Sequence, residues 1–198
     1  MGLPPIYPMV SKILYPDSMT VGPLVPIGVT VHYTADRDPE RAAIYLRRKG
    51  FGYHLLVDRN GSVIQLAYCN KRVNHAGKAA WNGSSPNRFH IAVAVLSWGE
   101  LSPEGMTWAG NRLPAAEVAV RNDLFGRERS WDACTPEQEL SLYKILTWAV
   151  ALGVKPSNIC GHDECALPRG RKLDPGGVLL LTMKEIRAAM EKLCGKRS

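Results

Sequence analysis

The sequence predicts a single α/β domain with a mixed central β-sheet and α-helices on both sides. Three observations favour this fold class. Short β-branched or apolar runs of strand length are interspersed with amphipathic segments of helical period. Residues 90–96 are apolar almost throughout, as expected for a strand covered on both faces. With 198 residues and 45% hydrophobic content, the chain can bury one sizeable core.

The first elements are an N-terminal arm, a strand and a helix. Residues 1–26 contain six prolines, which favour an extended arm lying on the domain. The domain itself is expected to cover residues 27–198. Its first strand is predicted at residues 27–33. Asp38 is then a suitable N-cap for a helix that Gly50 ends.

A hairpin is predicted next. Two strand-like runs, residues 53–57 and 63–67, flank a turn that contains Asn60 and Gly61, and Asn-Gly is a strong hairpin signal. Residues 74–88 form a polar, glycine-bearing loop. This loop leads into the apolar strand described above.

The third quarter of the chain is hardest to interpret. Residues 100–133 are predicted to be a long irregular insertion with a short helix at 115–120, because Gly, Pro and mixed charges interrupt any period. Thr135 then caps an amphipathic helix that ends at Gly153. Residues 182–193 are predicted to form a second amphipathic helix.

Composition narrows the classes of function. The net charge of +7 favours an anionic partner, such as nucleic acid, a membrane surface or an acidic cell-wall polymer. The basic residues are scattered and no nucleic-acid motif accompanies them, so nucleic acid is not the expected partner. No apolar stretch approaches 18 residues, so we expect a soluble protein without stable membrane insertion.

Cysteine usage and the N-terminus point to a cytosolic site of synthesis. Five cysteines at unrelated spacings, without a Cys-x-x-Cys pair, argue against a disulfide framework and for folding in a reducing compartment. Residues 1–15 lack the pattern of a signal peptide.

The candidate site centres on a loop rich in Pro and Gly, residues 161–176, that follows a short run leading back into the core. The loop carries His162 and Asp174, and His32 stands at the end of the first strand. Two histidines and a carboxylate would make a zinc site with its fourth position open to water. The alternatives are a hydrogen-bonded core histidine, a loop tied by a carboxylate and a histidine, and Cys165 as another ligand.

Several short motifs follow one another in the order that a known family shows. On these motifs the chain resembles the zinc-dependent N-acetylmuramoyl-L-alanine amidases of the type-2 amidase and peptidoglycan-recognition superfamily, which includes many phage endolysins. The resemblance covers roughly residues 27–190. The motifs are Thr-Val-His-Tyr-Thr-Ala at 30–35, Gly-Tyr-His-Leu-Leu-Val-Asp-Arg-Asn-Gly at 52–61, Asn-His-Ala-Gly at 74–77, Trp-Asn-Gly at 81–83, Thr-Pro-Glu-Gln at 135–138 and the loop 161–176.

The resemblance implies a catalytic site with one zinc ion per chain. It implies His32, His162 and Asp174 as the ligands, and hydrolysis of the amide between N-acetylmuramic acid and L-alanine of peptidoglycan. Lys172 matches a lysine that stabilises the oxyanion, although it is alternatively a solvated loop charge. Tyr53 matches a tyrosine that touches the zinc-bound water or the substrate carbonyl, although packing of the hairpin is the alternative.

Three further positions are expected to contact the substrate. His75 matches a histidine that lines the cleft, with a loop-structuring role as the alternative. Trp81, like Trp98, Trp108 and Trp131, is a candidate for a sugar-binding cleft or for packing. Ala94 occupies the position where many recycling members carry a glutamate as general base, and its identity favours the phage-type branch. His54 points away from Tyr53, which favours a role in the core or in support of the site residues.

The interpretation is therefore a monomeric phage or prophage endolysin, made in the host cytoplasm without a signal peptide and acting on the bacterial cell wall. The insertion is expected to shape specificity for stem peptides. The alternatives are a cytosolic amidase that recycles anhydromuropeptides and a module that binds peptidoglycan without cutting it. A regulatory partner, such as the polymerase that some phage amidases bind, also stays open.

Overall fold

A computed structural model describes residues 4–16 and 20–195. The parts of the predicted arm and domain at residues 1–3, 17–19 and 196–198 lie outside the described residues. The fold-class prediction is confirmed, because helices flank a mixed six-stranded sheet. No helix within the described ranges is long and apolar enough to cross a membrane.

The central sheet has the strand order β1-β5-β4-β7-β3-β11. Its neighbouring strands are parallel except β4 and β5, which form the predicted hairpin. The six strands are β1 (Lys12–Ile13), β3 (Gly28–Tyr33), β4 (Leu55–Val57), β5 (Val63–Gln65), β7 (His90–Val95) and β11 (Ile159–Gly161).

Within the described residues, five α-helices accompany this sheet: α1 (Pro39–Arg48), α2 (Pro86–Phe89), α3 (Pro136–Ala151), α4 (His162–Cys165) and α5 (Met183–Gly195). One face of the sheet packs against α3 and α5, which contribute Leu142, Leu146 and Ile186 to the larger core cluster. The other face packs against α1 through Ala42 and Ala43. Both faces are thus covered, which explains the nearly continuous apolar sequence of β7.

Local signals fixed the helix starts. The Asp38 side chain accepts a hydrogen bond from the Arg41 backbone N–H, as the predicted N-cap requires. Thr135 and Gln138 form a reciprocal capping box at the start of α3. Gln138 also donates from Nε2 to the Val57 carbonyl, at the carboxyl end of β4. The cap therefore anchors α3 at the same edge of the sheet as the candidate site.

The prediction of an irregular insertion at residues 100–133 was wrong. This segment contains a three-stranded antiparallel sheet in the order β8-β10-β9, with β8 (Glu100–Leu101), β9 (Val118–Asn122) and β10 (Glu128–Asp132). The predicted helix is a single 3-10 turn at Ala115–Glu117. The strands were obscured because one face of β9 is exposed and because charged residues, such as Arg129 in β10, lie inside them.

The described part of the N-terminal segment pairs with strands of the domain and packs into its core. β1 extends the central sheet by pairing with β5, and β2 (Thr20–Pro23) pairs with β6 (Lys71–Val73) in a separate two-stranded ladder. Tyr7 is fully buried in the larger core cluster, with its ring against Trp148 of α3. The described part of the predicted arm therefore contributes to both the sheet and the core.

Candidate metal centre

The carboxyl ends of two adjacent parallel strands bring the candidate ligands together. β3 and β11 run side by side, so His32 near the end of β3 lies close to His162, which directly follows β11. Asp174 belongs to the loop after α4, where its backbone carbonyl accepts a hydrogen bond of 2.7 Å from the Asp163 N–H. The sheet topology thus places three residues that are distant in sequence at one point.

The three side chains converge on one carboxylate oxygen. Oδ2 of Asp174 lies 2.7 Å from Nδ1 of His32 and 2.9 Å from Nδ1 of His162. All three residues are buried, and their donor atoms lie within 4.8 Å of one another. This arrangement can hold a metal ion.

A backbone carbonyl fixes the orientation of the His162 ring. Nε2 of His162 lies 3.0 Å from the carbonyl oxygen of Ala76. Because a carbonyl only accepts, Nε2 carries the hydrogen of this bond and Nδ1 is directed at the centre. Arg171 also donates to the Ala76 carbonyl, at 3.1 Å, and to that of Lys78, at 3.0 Å. The metal-site loop and the loop that carries the carbonyl are therefore joined.

The His32 ring is held through a second histidine. Nε2 of His32 lies 3.0 Å from Nδ1 of His75, and Nε2 of His75 lies 3.3 Å from the carbonyl oxygen of Pro86. The carbonyl assigns a hydrogen to Nε2 of His75, so with His75 neutral its Nδ1 accepts from His32. Nδ1 of His32 then faces the centre, as Nδ1 of His162 does.

Burial and charge set protonation states that suit metal binding. Burial lowers the pKa of His32 to about 4, although the adjacent carboxylate of Asp174 favours the protonated form. Burial alone would raise the pKa of Asp174, but the close contacts of its carboxylate with the rings of His162 and His32 outweigh burial and hold that pKa below its usual range. A neutral imidazole and an ionised carboxylate are the forms that bind metals.

Two predicted catalytic side chains lie near these ligands. The Tyr53 ring centroid is 4.9 Å from that of His32, and burial raises the pKa of the Tyr53 phenol. The positive charge of Lys172 is close enough to contribute to the lowered pKa of His32. Lys172 is partly buried, and within the described residues its ammonium has no hydrogen-bond or ion-pair partner. Its charge is therefore available to a ligand.

A comparison with protein families agrees with this geometry. The family described as N-acetylmuramoyl-L-alanine amidase (Amidase_2) matches residues 23–177. The chain belongs to this amidase family. The match covers most of the chain and includes all three candidate ligands. No curated protein sequence was found to match the chain.

Solved structures of amidases share the fold. AmiD from E. coli, solved with anhydro-N-acetylmuramic acid-L-Ala-D-gamma-Glu-L-Lys, gives a TM-score of 0.61 at 23% identity, covering 84% of this chain and 57% of AmiD. The endolysin LysCS from Clostridium intestinale gives a TM-score of 0.62 at 16% identity, covering 94% of this chain and 98% of LysCS. AmpDh3 from Pseudomonas aeruginosa gives a TM-score of 0.59 at 20% identity, covering 83% of this chain and 59% of AmpDh3. The chain thus spans less than two thirds of AmiD and AmpDh3.

Of the remaining predicted site residues, Ala94 lies beside a ligand and Trp81 does not. Ala94 pairs with His32 across β7 and β3 and is fully buried beside it. Trp81 lies away from the ligands, where its indole N–H donates to the Ser157 carbonyl and its ring contacts Arg187. Ser157 precedes β11, so Trp81 is near the opposite edge of the sheet. Its substrate contact stays a prediction, as does that of His75.

Asn87 is a supporting residue that the sequence did not reveal. Its Oδ1 accepts from the backbone N–H groups of His75 and Ala76, at 2.9 and 2.8 Å, and its Nδ2 donates to the Gly77 carbonyl at 2.9 Å. Asn87 thereby holds the loop that anchors both histidine ligands. An asparagine in a polar loop carries no signal of such a role, because its partners are backbone atoms.

His54 has a structural role, as its position in the strand predicted. Its Nδ1 accepts from the Ala92 N–H at 2.8 Å, and its Nε2 donates to the Lys71 carbonyl at 2.7 Å. The ring therefore joins β7 to β6. Burial lowers the pKa of His54 to about 4.

Proposed function

We propose that this chain is a zinc-dependent N-acetylmuramoyl-L-alanine amidase, which hydrolyses the amide between N-acetylmuramic acid and L-alanine of peptidoglycan. One observation carries the proposal. The donor atoms of His32, His162 and Asp174 converge, while the outer nitrogen of each histidine is engaged by a neighbouring group. Two imidazoles and one carboxylate are a donor set of catalytic zinc sites, and they leave one position open.

Zinc fits this donor set and would be held by His32, His162 and Asp174. Bound there, it supplies Lewis acidity and lowers the pKa of a bound water to about 7. The anchors of the outer histidine nitrogens keep both Nδ1 atoms directed at the ion. Such supporting hydrogen bonds also raise the basicity of the ligands.

Lys172 and Tyr53 are proposed to act on the substrate carbonyl. Attack on the amide places negative charge on its oxygen, and the unpaired ammonium of Lys172 offers a fixed cation to that charge. Tyr53 offers a phenol O–H as a hydrogen-bond donor beside His32. Because Ala94 stands beside His32 on β7, that position offers no carboxylate as a general base. The proton transfers are therefore proposed to use groups close to the metal ligands.

We further propose that the protein acts on the bacterial cell wall as an endolysin of a phage or prophage, as a monomer. Its charge of +7 suits an anionic envelope. The endolysin LysCS, whose length the chain matches almost completely, has the same fold. Intact sacculi are thus the proposed substrate, in preference to soluble anhydromuropeptides.

The test is mass analysis of the products from purified sacculi digested with the zinc-loaded protein. We expect free stem peptides beginning with L-alanine and glycan strands of unchanged length. A chelator should abolish both, and Asp174→Ala should lose zinc and activity together. Binding to sacculi without cleavage would instead support the peptidoglycan-binding module. Cleavage of soluble anhydromuropeptides alone would support a recycling role.

A further inference from the structure

Two tryptophans, the partly buried Trp98 and the exposed Trp108, lie side by side near the metal centre. The rings of Trp98 and Trp108 meet edge to face, with centroids 5.9 Å apart. Trp108 is 71% exposed, an unusual fraction for the largest apolar side chain. Its indole N–H donates to the Ala35 carbonyl at 2.8 Å, so the exposed ring is held in one orientation. We call Trp98 and Trp108 the tryptophan platform.

The platform lies at the same edge of the sheet as the candidate ligands. Trp98 follows the carboxyl end of β7, and Ala35 follows the carboxyl end of β3, three residues after His32. The Cα atoms of His32 and Ala35 are therefore no more than about 11 Å apart. The loop that carries Trp108 belongs to the insertion. The sheet of the insertion is joined to Trp98, because the Trp98 backbone N–H donates a hydrogen bond to the carboxylate of Asp132 in β10.

The cation that contacts the platform is already paired. The Arg41 guanidinium lies 5.8 Å from the Trp98 ring centroid. It also donates from Nε and Nη2 to both carboxylate oxygens of Asp36, each at 2.5 Å. A bidentate pair of this kind leaves little charge for an anionic ligand. What the platform offers is an apolar ring face with a polar rim, which suits a neutral ligand.

Of the two parts of the proposed substrate, the glycan matches this chemistry. A pyranose ring has an apolar face of C–H groups and a rim of hydroxyls. In the uncleaved substrate the lactyl carboxyl of muramic acid is consumed in the amide, so the glycan next to the scissile bond is neutral. Stem peptides carry free carboxylates, which would require an unpaired cation. The exposed and oriented ring of Trp108 is available for such stacking.

We propose that the tryptophan platform is a glycan subsite, on which a saccharide of the peptidoglycan strand stacks while the neighbouring muramoyl amide lies at the metal centre. This inference rests on the proposed function. It assigns the insertion a role in holding the glycan strand, in contrast to the expected selection of stem peptides. It also predicts a preference for polymeric glycan over short fragments.

Binding is tested without catalysis, in the Asp174→Ala background, with purified glycan strands stripped of their stem peptides. We expect Trp108→Ala to weaken binding about 3- to 10-fold. Trp108→Phe keeps an apolar ring and should weaken it less. Val25→Ala is the matched control, because Val25 is 74% exposed and precedes the amino end of β3. This control should bind as the parent does.

Activity separates this inference from the proposed function. In the zinc-loaded protein, Trp108→Ala should raise KM for sacculi and leave turnover of a soluble muramoyl tripeptide unchanged. Equal glycan binding by Trp108→Ala and its parent would overturn the subsite. So would weaker binding of isolated stem peptides with unchanged glycan binding. If the wild-type chain cleaves neither substrate, the proposed function fails, while the glycan-binding result still decides the subsite.

Discussion

Nε2 of His32 lies 3.0 Å from Nδ1 of His75, and the two rings meet edge to face at 89°. His75 is therefore positioned to orient the His32 ring through the nitrogen that faces away from the metal centre. We expect His75→Ala to weaken zinc binding about 10- to 100-fold, because supporting hydrogen bonds of this kind typically contribute that much. Competition with a chromophoric chelator measures the affinity independently of catalysis.

The matched control for His75 is His54→Gln, which changes a buried histidine that contacts backbone groups of β6 and β7. Its zinc affinity should equal that of the wild type. His75→Gln should recover part of the affinity, since an amide can also accept from His32. Unchanged affinity in His75→Ala would remove the orienting role and favour a contact with substrate.

Lys172 is expected to affect turnover and not metal content. Lys172→Ala should retain zinc and lose about 10²- to 10³-fold in kcat, because a preorganised charge facing the oxyanion is lost. Metal analysis and initial rates on a soluble muropeptide check this. Arg169→Ala, which removes an exposed charge from the same loop, is the control and should keep both. Normal turnover in Lys172→Ala would leave this lysine as a solvated loop charge.

Asp132 joins the insertion to the central sheet. Its buried carboxylate accepts from Arg37 Nε at 2.9 Å and Arg37 Nη2 at 2.5 Å, and from the Trp98 N–H at 2.7 Å. Asp132→Ala should lower the free energy of unfolding by about 1 to 3 kcal/mol, because the Trp98 backbone N–H loses its acceptor and Arg37 keeps only its ion pair with Glu117. Denaturant titration measures the change.

The comparison for Asp132 is Glu104→Ala on the same insertion. Glu104 is exposed and accepts from the Ser102 hydroxyl at 2.7 Å. Its substitution should change the free energy of unfolding by no more than about 0.5 kcal/mol. Similar losses for both variants would show that the ion pairs of Asp132 do not dominate the attachment of the insertion.

The pH dependence of stability should carry a contribution from His54. Burial lowers its pKa in the folded state to about 4, from 6.5. Its stabilising contribution is therefore complete above pH 6.5 and is lost as the pH falls towards 4. Between pH 7 and 4.5, His54→Gln should lose about 2 kcal/mol less stability than the wild type, both measured with chelator. Parallel pH profiles would contradict the buried neutral state.

The sequence predicted those elements whose signals are local. The cap at Thr135, the Asn60-Gly61 turn and the apolar run of β7 each specify an element within a few residues, and all three are confirmed. Local signals did not predict the strands of the insertion. Its strand β8 pairs with β10 across about 30 residues, and the charges of Arg129 and Asp123 interrupt the apolar pattern. Long-range pairing of that kind leaves little local trace.

The candidate site was predicted in part for a related reason. His32, His162 and Asp174 could be named because their side chains carry the chemistry. The Ala76 carbonyl, which orients His162, could not be named, since any residue supplies a carbonyl. Asn87 escaped notice for the same reason, because its partners are backbone groups. The supporting layer of the site is a property of the fold.

The pairing of β1 with β5 has a consequence for self-association. β5 would otherwise present a row of unpaired backbone groups at the edge of the six-stranded sheet, and such edges are templates for joining a second chain. β1 occupies that edge and is itself only two residues long, with Lys12 bound to Glu40. Short, charged edge strands are poor templates. The N-terminal segment therefore protects the sheet against aggregation, a role that an extended arm lying loosely on the surface would not have.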